Sequence, residues 1–405
     1  MGVGIVGRAK EWLMEQQERG YQNIPNKYVC PSCVGDDALQ AVIRREAVSK
    51  SCSYCGKKAR SVIAAEFDTL AEAILSGLQS EYGDPNDEGV PWDGGWVGDV
   101  IDTYDALFED VELDIESDEL RQDILQSIGD HQWCQKDFYR LSPSDALQFG
   151  WRRFAKFIKH TARYVFLNID DSSLNEWDGD HIPVGGFLEV FGRVIKNLRM
   201  VRHVPTDTTI YRIRIHDPTT SFSTAAELGA PPLTACIFPN RMSPAGIPMF
   251  YGAFDKNTCI IETYNPDGRN HFCTFGHFKN LRELVLLDLT NAPSIPSIFE
   301  SGNRTRRHNI TFLRSFIRDI TGPITRDGTE GIDYVPTQVV SEYVRHVLTM
   351  KGERLDGIVY KSSKEGGKEA CVLFFDGSAC VDTTTGGSNE ELLLYKVTRK
   401  RLRKA

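Results

Sequence analysis

Residues 240–262 (NRMSPAGIPMFYGAFDKNTCIIE) bring together three residue types that can do chemistry, namely Arg241, Tyr251 and Glu262. The planar guanidinium of an arginine binds phosphate groups through paired hydrogen bonds. A carboxylate stabilises positive charge that develops in a transition state, and a tyrosine ring offers a flat surface to a ring of the ligand. The segment therefore predicts a functional site and not merely a core.

The local pattern predicts the elements that position these side chains. The prolines and the glycine at positions 244–248 favour a loop, so Arg241 is expected on an irregular, exposed segment. Residues 249–253 are typical of a short strand, with Tyr251 on the face opposite Phe250. Asp255 is a candidate N-cap for a short helix over 256–263, which would carry Glu262.

A second candidate element is the strand at 208–215 (TTIYRIRI), where apolar and polar residues alternate. The alternation places Arg212 and Arg214 on one face and Tyr211 on the other. Two arginines buried without partners would be costly, so they are expected to line an open cleft or to bind an anion. The alternative is an edge strand with both arginines in water.

Four of the ten cysteines form the pattern C-x2-C, eighteen residues, C-x2-C, namely Cys30, Cys33, Cys52 and Cys55. Each C-x2-C pair lets two thiolates converge on one tetrahedral ion, so the pattern predicts a structural zinc site. A site with four thiolates has no open coordination position, and the metal would stabilise the fold without taking part in catalysis. The alternatives are four unligated thiols or two disulfides.

Amphipathic helices are predicted around 67–78 and 117–128 and from Ser144 to about 166. In the last of these, Arg153 and His160 are separated by six residues, an R-x6-H arrangement that resembles the signature of HEPN ribonucleases. The histidine would act there as a general base on a ribose hydroxyl. The alternative is a solvated basic helix face.

Composition excludes several classes of function. A net charge of −9 disfavours a protein that coats nucleic acid by bulk charge. We find no signal-peptide pattern and no apolar run long enough for a membrane span, which predicts a cytoplasmic protein with reduced cysteines and no membrane partner. The sequence has no G-x-G-x-x-G motif after a predicted strand, no P-loop motif and no G-x-S-x-G motif, which disfavours a dinucleotide-fold oxidoreductase, a P-loop NTPase and a serine hydrolase. The basic C-terminus at 396–405 is predicted to be a solvated tail, with RNA contact as the alternative.

The predicted fold class is α+β in four parts. Residues 1–60 would form a zinc-binding segment, residues 61–170 a helical domain, residues 171–204 a linker with a connecting helix, and residues 205–405 a mixed α/β domain. Strands are expected at 357–360, 371–375 and 392–397 in the last part.

The motifs YRIRI, LGAPP, NRMSPAGIPMFYGAFDKNTCIIE and GIVYKSS occur in that order, and the segment that they span resembles the RES domain family. The N-terminal part, with CPSC, CSYC and WRRFAKFIKHTARYVF, resembles the HEPN-associated domain often fused to RES domains. The resemblance implies an ADP-ribosyltransferase-like fold for residues 205–405. It also implies a bacterial toxin that degrades NAD, in some members by phosphorolysis to nicotinamide and ADP-ribose-1″-phosphate.

The resemblance also implies site residues. The implied catalytic residues are Arg212, Tyr251, Glu262 and Ser362, with Ser363 as the alternative serine. The implied NAD-binding residues are Tyr211, Arg212, Arg241 and Tyr251. In this assignment the arginines hold the pyrophosphate, Glu262 stabilises the oxocarbenium-like ribose, and Tyr211 packs behind or beside Tyr251. Met242 stands where the family commonly has a tryptophan.

Three functions are compatible with these patterns. The first is an NAD glycohydrolase or NAD phosphorylase, with NAD as a consumed substrate, inorganic phosphate as a candidate co-substrate and Zn²⁺ as a structural ion. The second is an ADP-ribosyltransferase that modifies a protein or nucleic acid, and the third is an RNA-binding or RNA-cleaving protein of HEPN type. Expected partners are an antitoxin or a phage-derived trigger in phage defence, and a second copy of the chain in a homo-oligomer.

Overall fold

The structure of the protein is a computed structural model that describes residues 19–168, 182–264, 271–322, 328–362 and 368–402. Contacts between these residues divide the chain into two compact units. The first contains the described residues up to Asp145 together with Ser294–Thr311, and the second contains the described residues of Ala146–Pro293 and those from Phe312 onwards. Residues 171–181, the first part of the predicted linker segment, lie outside the described residues.

The first unit is mainly helical. Its helices and strands in chain order are β1 (Tyr28–Val29), α1 (Asp37–Arg45), β2 (Ala65–Glu66), α2 (Phe67–Glu81), β3 (Tyr82–Gly83), β4 (Val100–Asp102), a π-helical turn (Asp105–Asp110), α3 (Asp118–Ile128) and β5 (Gln132–Gln135). The strands pair as β1–β2 and as a small sheet in the order β3–β5–β4.

The two helices predicted in this region, α2 and α3, are confirmed. The apolar positions that define the inner face of α2 are buried and belong to one core, namely Phe67, Leu70, Ile74 and Leu78. Ser117 caps α3, because its hydroxyl accepts a hydrogen bond from the backbone N–H of Leu120 at 3.3 Å. Local periodicity was sufficient here because both helices bury a single apolar stripe.

The second unit carries the remaining elements. In chain order these are α4 (Pro143–His160), α5 (Phe187–Leu198), β6 (Val201–Val204), β7 (Thr209–His216), α6 (Ala225–Leu228), β8 (Phe250–Ala253), α7 (Lys256–Thr263), β9 (His271–Asn280), β10 (Leu284–Asp288), α8 (Arg304–Thr321), α9 (Glu330–Asp333), α10 (Val335–His346), β11 (Thr349–Met350), β12 (Glu353–Arg354), β13 (Gly357–Lys361), β14 (Glu369–Leu373), β15 (Cys380–Val381) and β16 (Leu392–Leu402). The boundaries between the units fall inside α4 and α8.

An aromatic cluster joins α4, α5 and α8 within the second unit. Trp151 lies against Phe316 with ring centroids 4.8 Å apart, and Phe154 stacks on Phe187 at 5.0 Å. All four rings are buried. The aromatic stripe of α4 therefore belongs to a core.

Nine strands of the second unit form one mixed sheet among the described residues, so the predicted α+β class is confirmed. Their spatial order is β15–β16–β9–β7–β8–β14–β13–β10–β6, with parallel pairing at β15–β16 and β10–β13. The centre of this sheet is weak, since in the described chain β7 and β8 pair only through Tyr211 and Ala253. Beyond that pair the two strands separate, and the sheet is split into two halves.

The two faces of the sheet carry different side chains. The face that we call the arginine face carries Ile210, Arg212 and Arg214, and its core includes Phe250. The opposite face, which we call the tyrosine face, carries Tyr211 and packs against α7. The alternation predicted for β7 is confirmed by these two separate cores.

The sequence did not predict β9, although it is a central strand of the sheet. Most of its residues are buried, including the polar residues Thr274 and His277. Thr274 hydrogen-bonds His216 at 2.9 Å, and His277 hydrogen-bonds Thr398 at 2.9 Å. Because polar residues are buried on both faces, β9 shows neither the alternation of a half-buried strand nor a continuous apolar run.

The prediction of a solvated C-terminal tail is wrong for residues 396–402. These residues continue β16, which pairs with β9 in antiparallel register from Leu392 to Leu402 with one irregularity after Leu394. Within the described chain, β16 has β15 beside it only at its first two residues, so most of it is an outer strand. Its exposed cations are Lys396, Arg399, Lys400 and Arg401.

None of the helices in the described part of the chain combines the length and the apolar composition that crossing a bilayer requires.

Candidate functional site

Helix α7 places Glu262 on the tyrosine face. The helix begins as predicted, because the carboxylate of Asp255 accepts hydrogen bonds from the backbone N–H groups of Asn257 and Thr258 at 2.9 and 3.0 Å. Cys259 packs against the small side chain of Ala253, which allows the helix to lie close to the sheet. The strand and helix predicted for this segment are thus confirmed as β8 and α7.

Arg212 lies at the split between β7 and β8. Its Nη1 donates a hydrogen bond to the backbone oxygen of Tyr251 at 2.8 Å. The arginine side chain thus replaces the backbone N–H of β7 that would bond this oxygen if the two strands were fully paired. The guanidinium lies 5.2 Å from the ring centre of Phe250 and is 8% exposed. Burial, together with the charge of Arg214, lowers the pKa of Arg212. Its Nε has no hydrogen-bond partner among the described residues, so a donor remains for an anion.

Arg214 has a different environment from the one predicted. Its Nε and Nη2 donate to the backbone oxygens of Glu227 and Gly229 at 3.1 and 3.3 Å, at the C-terminal end of α6. A cation at a helix C-terminus satisfies carbonyl groups that lack partners in the helix. Arg214 therefore supports α6, and Arg212 is the arginine of this strand that reaches the split.

Arg241 lies in a loop that other elements hold in place. Its Nη1 donates to the backbone oxygen of Ile320 at 2.7 Å, and its guanidinium lies 6.0 Å from the ring centre of Tyr334. Gln338 of α10 fixes the loop by donating to the backbone oxygen of Asn240 at 2.8 Å. Met242 is 1% exposed, so the methionine fills an interior position beside the arginine.

Tyr251 is tied to the same loop. Its hydroxyl is 2.9 Å from the hydroxyl of Ser243, and Ser243 is itself buried. Burial raises the pKa of Tyr251 to about 12, although the bond to Ser243 opposes this rise. The phenol is therefore protonated at neutral pH, and its hydroxyl is held by the loop that carries Arg241.

Tyr360 of β13 connects the predicted site residues. Burial raises its pKa well above the ordinary range, the charge of Glu262 and the nearby Tyr251 raise it further, and Arg241 opposes them. Residues from α7, β8 and the loop after α6 therefore lie within electrostatic range of one phenol on β13. Sequence reasoning did not identify Tyr360 as a candidate, although it lies just before Lys361 and Ser362 in the chain.

Ser362 follows Tyr360 on the same face of the chain. It is 7% exposed, and its backbone N–H donates to the oxygen of Lys368 at 2.8 Å, which extends the β13–β14 pairing. The rival serine, Ser363, lies outside the described residues. Ser362 thus directly follows the end of β13, on the same side of the strand as Tyr360.

Tyr211 lies apart from Tyr251. Its ring makes an edge contact with His277 at 5.0 Å, and the ammonium of Lys256 lies 5.6 Å from its centre. The thiol of Cys259 donates to its backbone oxygen at 3.1 Å. Tyr211 therefore supports the first turn of α7, and its ring contacts do not include the ring of Tyr251 among the described residues.

Arg153 and His160 lie on one side of α4, two turns apart. Seven residues of helix separate them by about 10 Å along the axis. Lys159, next to the histidine, forms an ion pair with Asp333 at 2.8 Å. Arg153 is half-buried and His160 is exposed. The helix therefore brings the two side chains to one side, two turns apart.

The four predicted metal ligands converge in the first unit. Distances between sulfur atoms are 3.7 Å for Cys30–Cys33, 3.5 Å for Cys30–Cys55 and 3.6 Å for Cys33–Cys52. All four sulfurs lie within 4.8 Å of one another. Disulfide bonds would require a separation of about 2 Å, so the disulfide alternative is wrong.

The spacing of these sulfurs fits a metal ion. Four thiolates placed about 2.3 Å from a tetrahedral ion are separated by about 3.8 Å, close to the observed distances. Gly56 adopts φ = +70° directly after the second pair, a conformation that glycine takes without strain. Three of the cysteines are buried, and the cluster could therefore hold a structural metal.

Comparison with known families agrees with this geometry. Residues 209–392 match the RES domain. Residues 45–172 match HEPN/RES N-terminal domain 1. The chain thus carries a RES domain preceded by a HEPN/RES N-terminal domain, and a RES domain indicates an enzyme that acts on NAD. No curated protein and no solved structure matches the chain.

Three residues around the site were missed by sequence reasoning, namely Ser243, Tyr334 and Tyr360. Each contacts or electrostatically influences a residue that was predicted. Tyr334 lies far along the chain from Arg241, and no local pattern links the two. Tyr360 could have been found, because alternation along GIVYKSS places it on the same face as Ser362.

Proposed function

We propose that this protein degrades NAD by cleaving the bond between nicotinamide and ribose. The observation that carries the proposal is the grouping of Glu262, Tyr251 and Arg241 around Tyr360, beside the split where Arg212 has a spare donor. A carboxylate, an aromatic ring and two arginines match the ribose, the nicotinamide ring and the pyrophosphate of NAD. The split sheet is compatible with an ADP-ribosyltransferase-like fold, which is part of the proposal.

In the proposed reaction the bond between the ribose C1 and the nicotinamide nitrogen breaks. The bonding electron pair leaves with the nicotinamide, which departs as a neutral molecule. Positive charge develops on the ribose, and the carboxylate of Glu262 stabilises it. Water then yields ADP-ribose and releases a proton, or inorganic phosphate yields ADP-ribose-1″-phosphate. Arg212 and Arg241 hold the pyrophosphate, so catalysis rests on positioning and charge.

The product profile tests the proposal directly. Purified full-length protein is incubated with NAD, with and without phosphate, and the products are identified by mass spectrometry. Nicotinamide with ADP-ribose indicates hydrolysis, and ADP-ribose phosphate formed only in phosphate indicates phosphorolysis. With labelled NAD, label retained on a macromolecule would instead indicate an ADP-ribosyltransferase. Intact NAD in every mixture would contradict the proposal.

We also propose that the four-cysteine cluster holds zinc as a structural ion. Thiolates are the ligands that Zn²⁺ accepts in closed tetrahedral sites. Such an ion would stabilise the first unit, where Cys30 lies next to β1 and Cys33 follows it in a short turn. The role assigned to this unit is to regulate the toxic RES domain in response to an antitoxin or a phage-derived trigger.

Replacing a buried ligand should remove the metal. Cys33→Ser is expected to lose the zinc found in the wild-type protein and to destabilise the first unit by several kcal/mol, on the order expected for a structural site. Metal content is measured by mass spectrometry and stability by denaturant unfolding. Cys134→Ser is the matched control, because Cys134 is a buried thiol of the same unit outside the cluster. Equal losses in both variants would argue against a zinc site.

A further inference from the structure

Charge is distributed unevenly along the chain of the first unit. Residues 61–145 hold 22 acidic and three basic residues. Residues 47–65 hold no acidic residue, and their exposed cations are Lys50, Lys57, Lys58 and Arg60. Within the described part of the chain none of these four side chains forms an ion pair. Like charges that are grouped without counter-charges repel one another, and a bound anion would relieve that repulsion.

The four cations lie on a hairpin of residues 48–64, which we call the basic hairpin. Its arms are antiparallel, since the backbone N–H of Ala59 donates to the oxygen of Lys50 at 2.9 Å and that of Ile63 to the oxygen of Ser49 at 2.7 Å. The three residues between Ala59 and Ile63 therefore form a bulge, which is exposed. The turn between the arms contains two of the four clustered cysteines, so the cysteine cluster anchors the hairpin.

A cavity of about 320 Å³ lies beside the hairpin and the cysteine cluster. Its two cations are Arg44, from the last turn of α1, and Lys57, from the hairpin. Pro31, Val62 and Ile63 supply an apolar wall. A cavity of several hundred Å³ with apolar walls and a few polar groups is typical of a site for a small ligand or for one unit of a longer one.

Hydrogen bonds hold Arg44 at this cavity. The side-chain oxygen of Gln40, one turn earlier on α1, accepts a hydrogen bond from Nη2 of Arg44. The amide nitrogen of Gln40 donates in turn to the backbone oxygen of Val34 at 2.8 Å. The guanidinium is thus positioned before a ligand binds, and it has further donors for one. A guanidinium beside an ammonium group suits a phosphate.

We propose that the basic hairpin and this cavity bind single-stranded nucleic acid. Arg44 and Lys57 hold one phosphate, and the apolar wall packs against the adjoining sugar or base. Lys50, Lys58 and Arg60 neutralise further phosphates along the strand. This binding is an activity of the first unit, so it does not depend on the function proposed for the RES domain.

The spread of the cations favours nucleic acid over other anions. A site for one phosphorylated side chain groups its cations around a single phosphate, whereas Lys50, Lys58 and Arg60 lie outside the lining of the cavity. An anionic membrane is a wide surface that would also repel the many acidic residues of the same unit. A single strand is narrow and can follow the hairpin.

The first test removes the two cations of the cavity. Full-length protein is titrated into labelled oligo(dT) or oligo(U) at several salt concentrations, and binding is followed by fluorescence anisotropy. Arg44→Gln/Lys57→Gln is expected to weaken binding about tenfold or more. The slope of the logarithm of the binding constant against that of the salt concentration should fall by about 1.4, since each phosphate contact with a single strand contributes about 0.7.

Lys136→Gln/Arg140→Gln is the matched control, because it removes the same charge from exposed positions of the same unit. Equal weakening by the two pairs of substitutions would overturn the proposal, as would the failure of the wild-type protein to bind either oligonucleotide. A difference between oligo(dT) and oligo(U) in the expected pattern supports it and identifies the preferred sugar.

A second pair of substitutions tests the path of the strand. Lys50→Gln/Arg60→Gln should lower the salt slope by about the same amount while the cavity is left intact. Wild-type binding by this variant would overturn the proposal in favour of a single anion in the cavity. Binding to phosphatidylserine vesicles without binding to either oligonucleotide would assign the cations to a membrane surface and overturn it too. The replaced residues are exposed, so thermal unfolding should be unchanged, and the assay contains no NAD.

Discussion

Glu262→Gln is expected to reduce the rate of NAD loss by about 10²–10³-fold, the usual cost of removing one preorganised group that stabilises transition-state charge. Glutamine has nearly the same shape as glutamate, so α7 and its cap at Asp255 should be retained. The neutral amide cannot stabilise positive charge on the ribose. The loss should therefore appear in kcat, with NAD binding largely kept.

The measurement is the initial rate of NAD loss by purified protein over a range of NAD concentrations. Glu283→Gln is the matched control for the change of charge, because this exposed glutamate contacts His203. Thermal unfolding of both variants checks that the fold is intact. A folded Glu262→Gln protein with wild-type turnover would rule out this carboxylate as the catalytic group.

Arg212→Lys should lower kcat/KM for NAD by about 100-fold, even though the charge is conserved. In the structure Nη1 of the guanidinium donates a hydrogen bond to the backbone oxygen of Tyr251, while Nε has no partner among the described residues and can donate to an anion. The single ammonium of lysine cannot occupy both positions. Either the pyrophosphate loses a donor, or Tyr251 loses the contact that holds its strand at the split.

Arg399→Lys is a suitable control, because Arg399 is an exposed residue of β16 that contacts Phe272 and Pro218. Competition with ADP-ribose separates the two causes, since weaker binding of this product fragment indicates a lost phosphate contact. Wild-type kcat/KM in a folded Arg212→Lys protein would show that Arg212 serves the sheet alone.

The sequence was informative where one local pattern decides the structure. Asp255 begins a helix because its side chain caps it, and β7 alternates because each of its faces has its own core. The cysteine spacing was equally informative, since the two C-x2-C pairs place their sulfurs by local geometry. These features need no knowledge of the distant chain.

The features that sequence reasoning missed depend on contacts between distant segments. The strand β9 can bury polar residues because they find hydrogen-bond partners. His277, for example, hydrogen-bonds Thr398, which is more than a hundred residues away in the chain. The strands β7 and β8 separate because their pairing stops after Tyr211. No residue pattern in the sequence predicts where this pairing stops. Tyr360 gains its importance from Glu262 and Arg241, and both come from other elements.

The division into units also depends on long-range packing. The sequence placed residues 61–170 in a helical domain and began the last domain at 205. In the contact units, the part of α4 from Ala146 and the whole of α5 belong with the nine-stranded sheet, where Trp151 and Phe187 share a core with α8. A fragment that begins after α4 would lack Trp151 and Phe154, which pack on Phe316 and Phe187, so a RES fragment for functional work should include α4.

The outer strand β16 has a consequence for the behaviour of the protein in solution. A long outer strand with free backbone groups is a template on which another chain can add a strand. Lys396, Arg399, Lys400 and Arg401 line this strand, and their mutual repulsion discourages such pairing between copies. The basic run, predicted from the sequence to be a solvated tail with RNA contact as the alternative, is therefore better understood as protection against aggregation. Neutralising it would put solubility at risk before it altered catalysis.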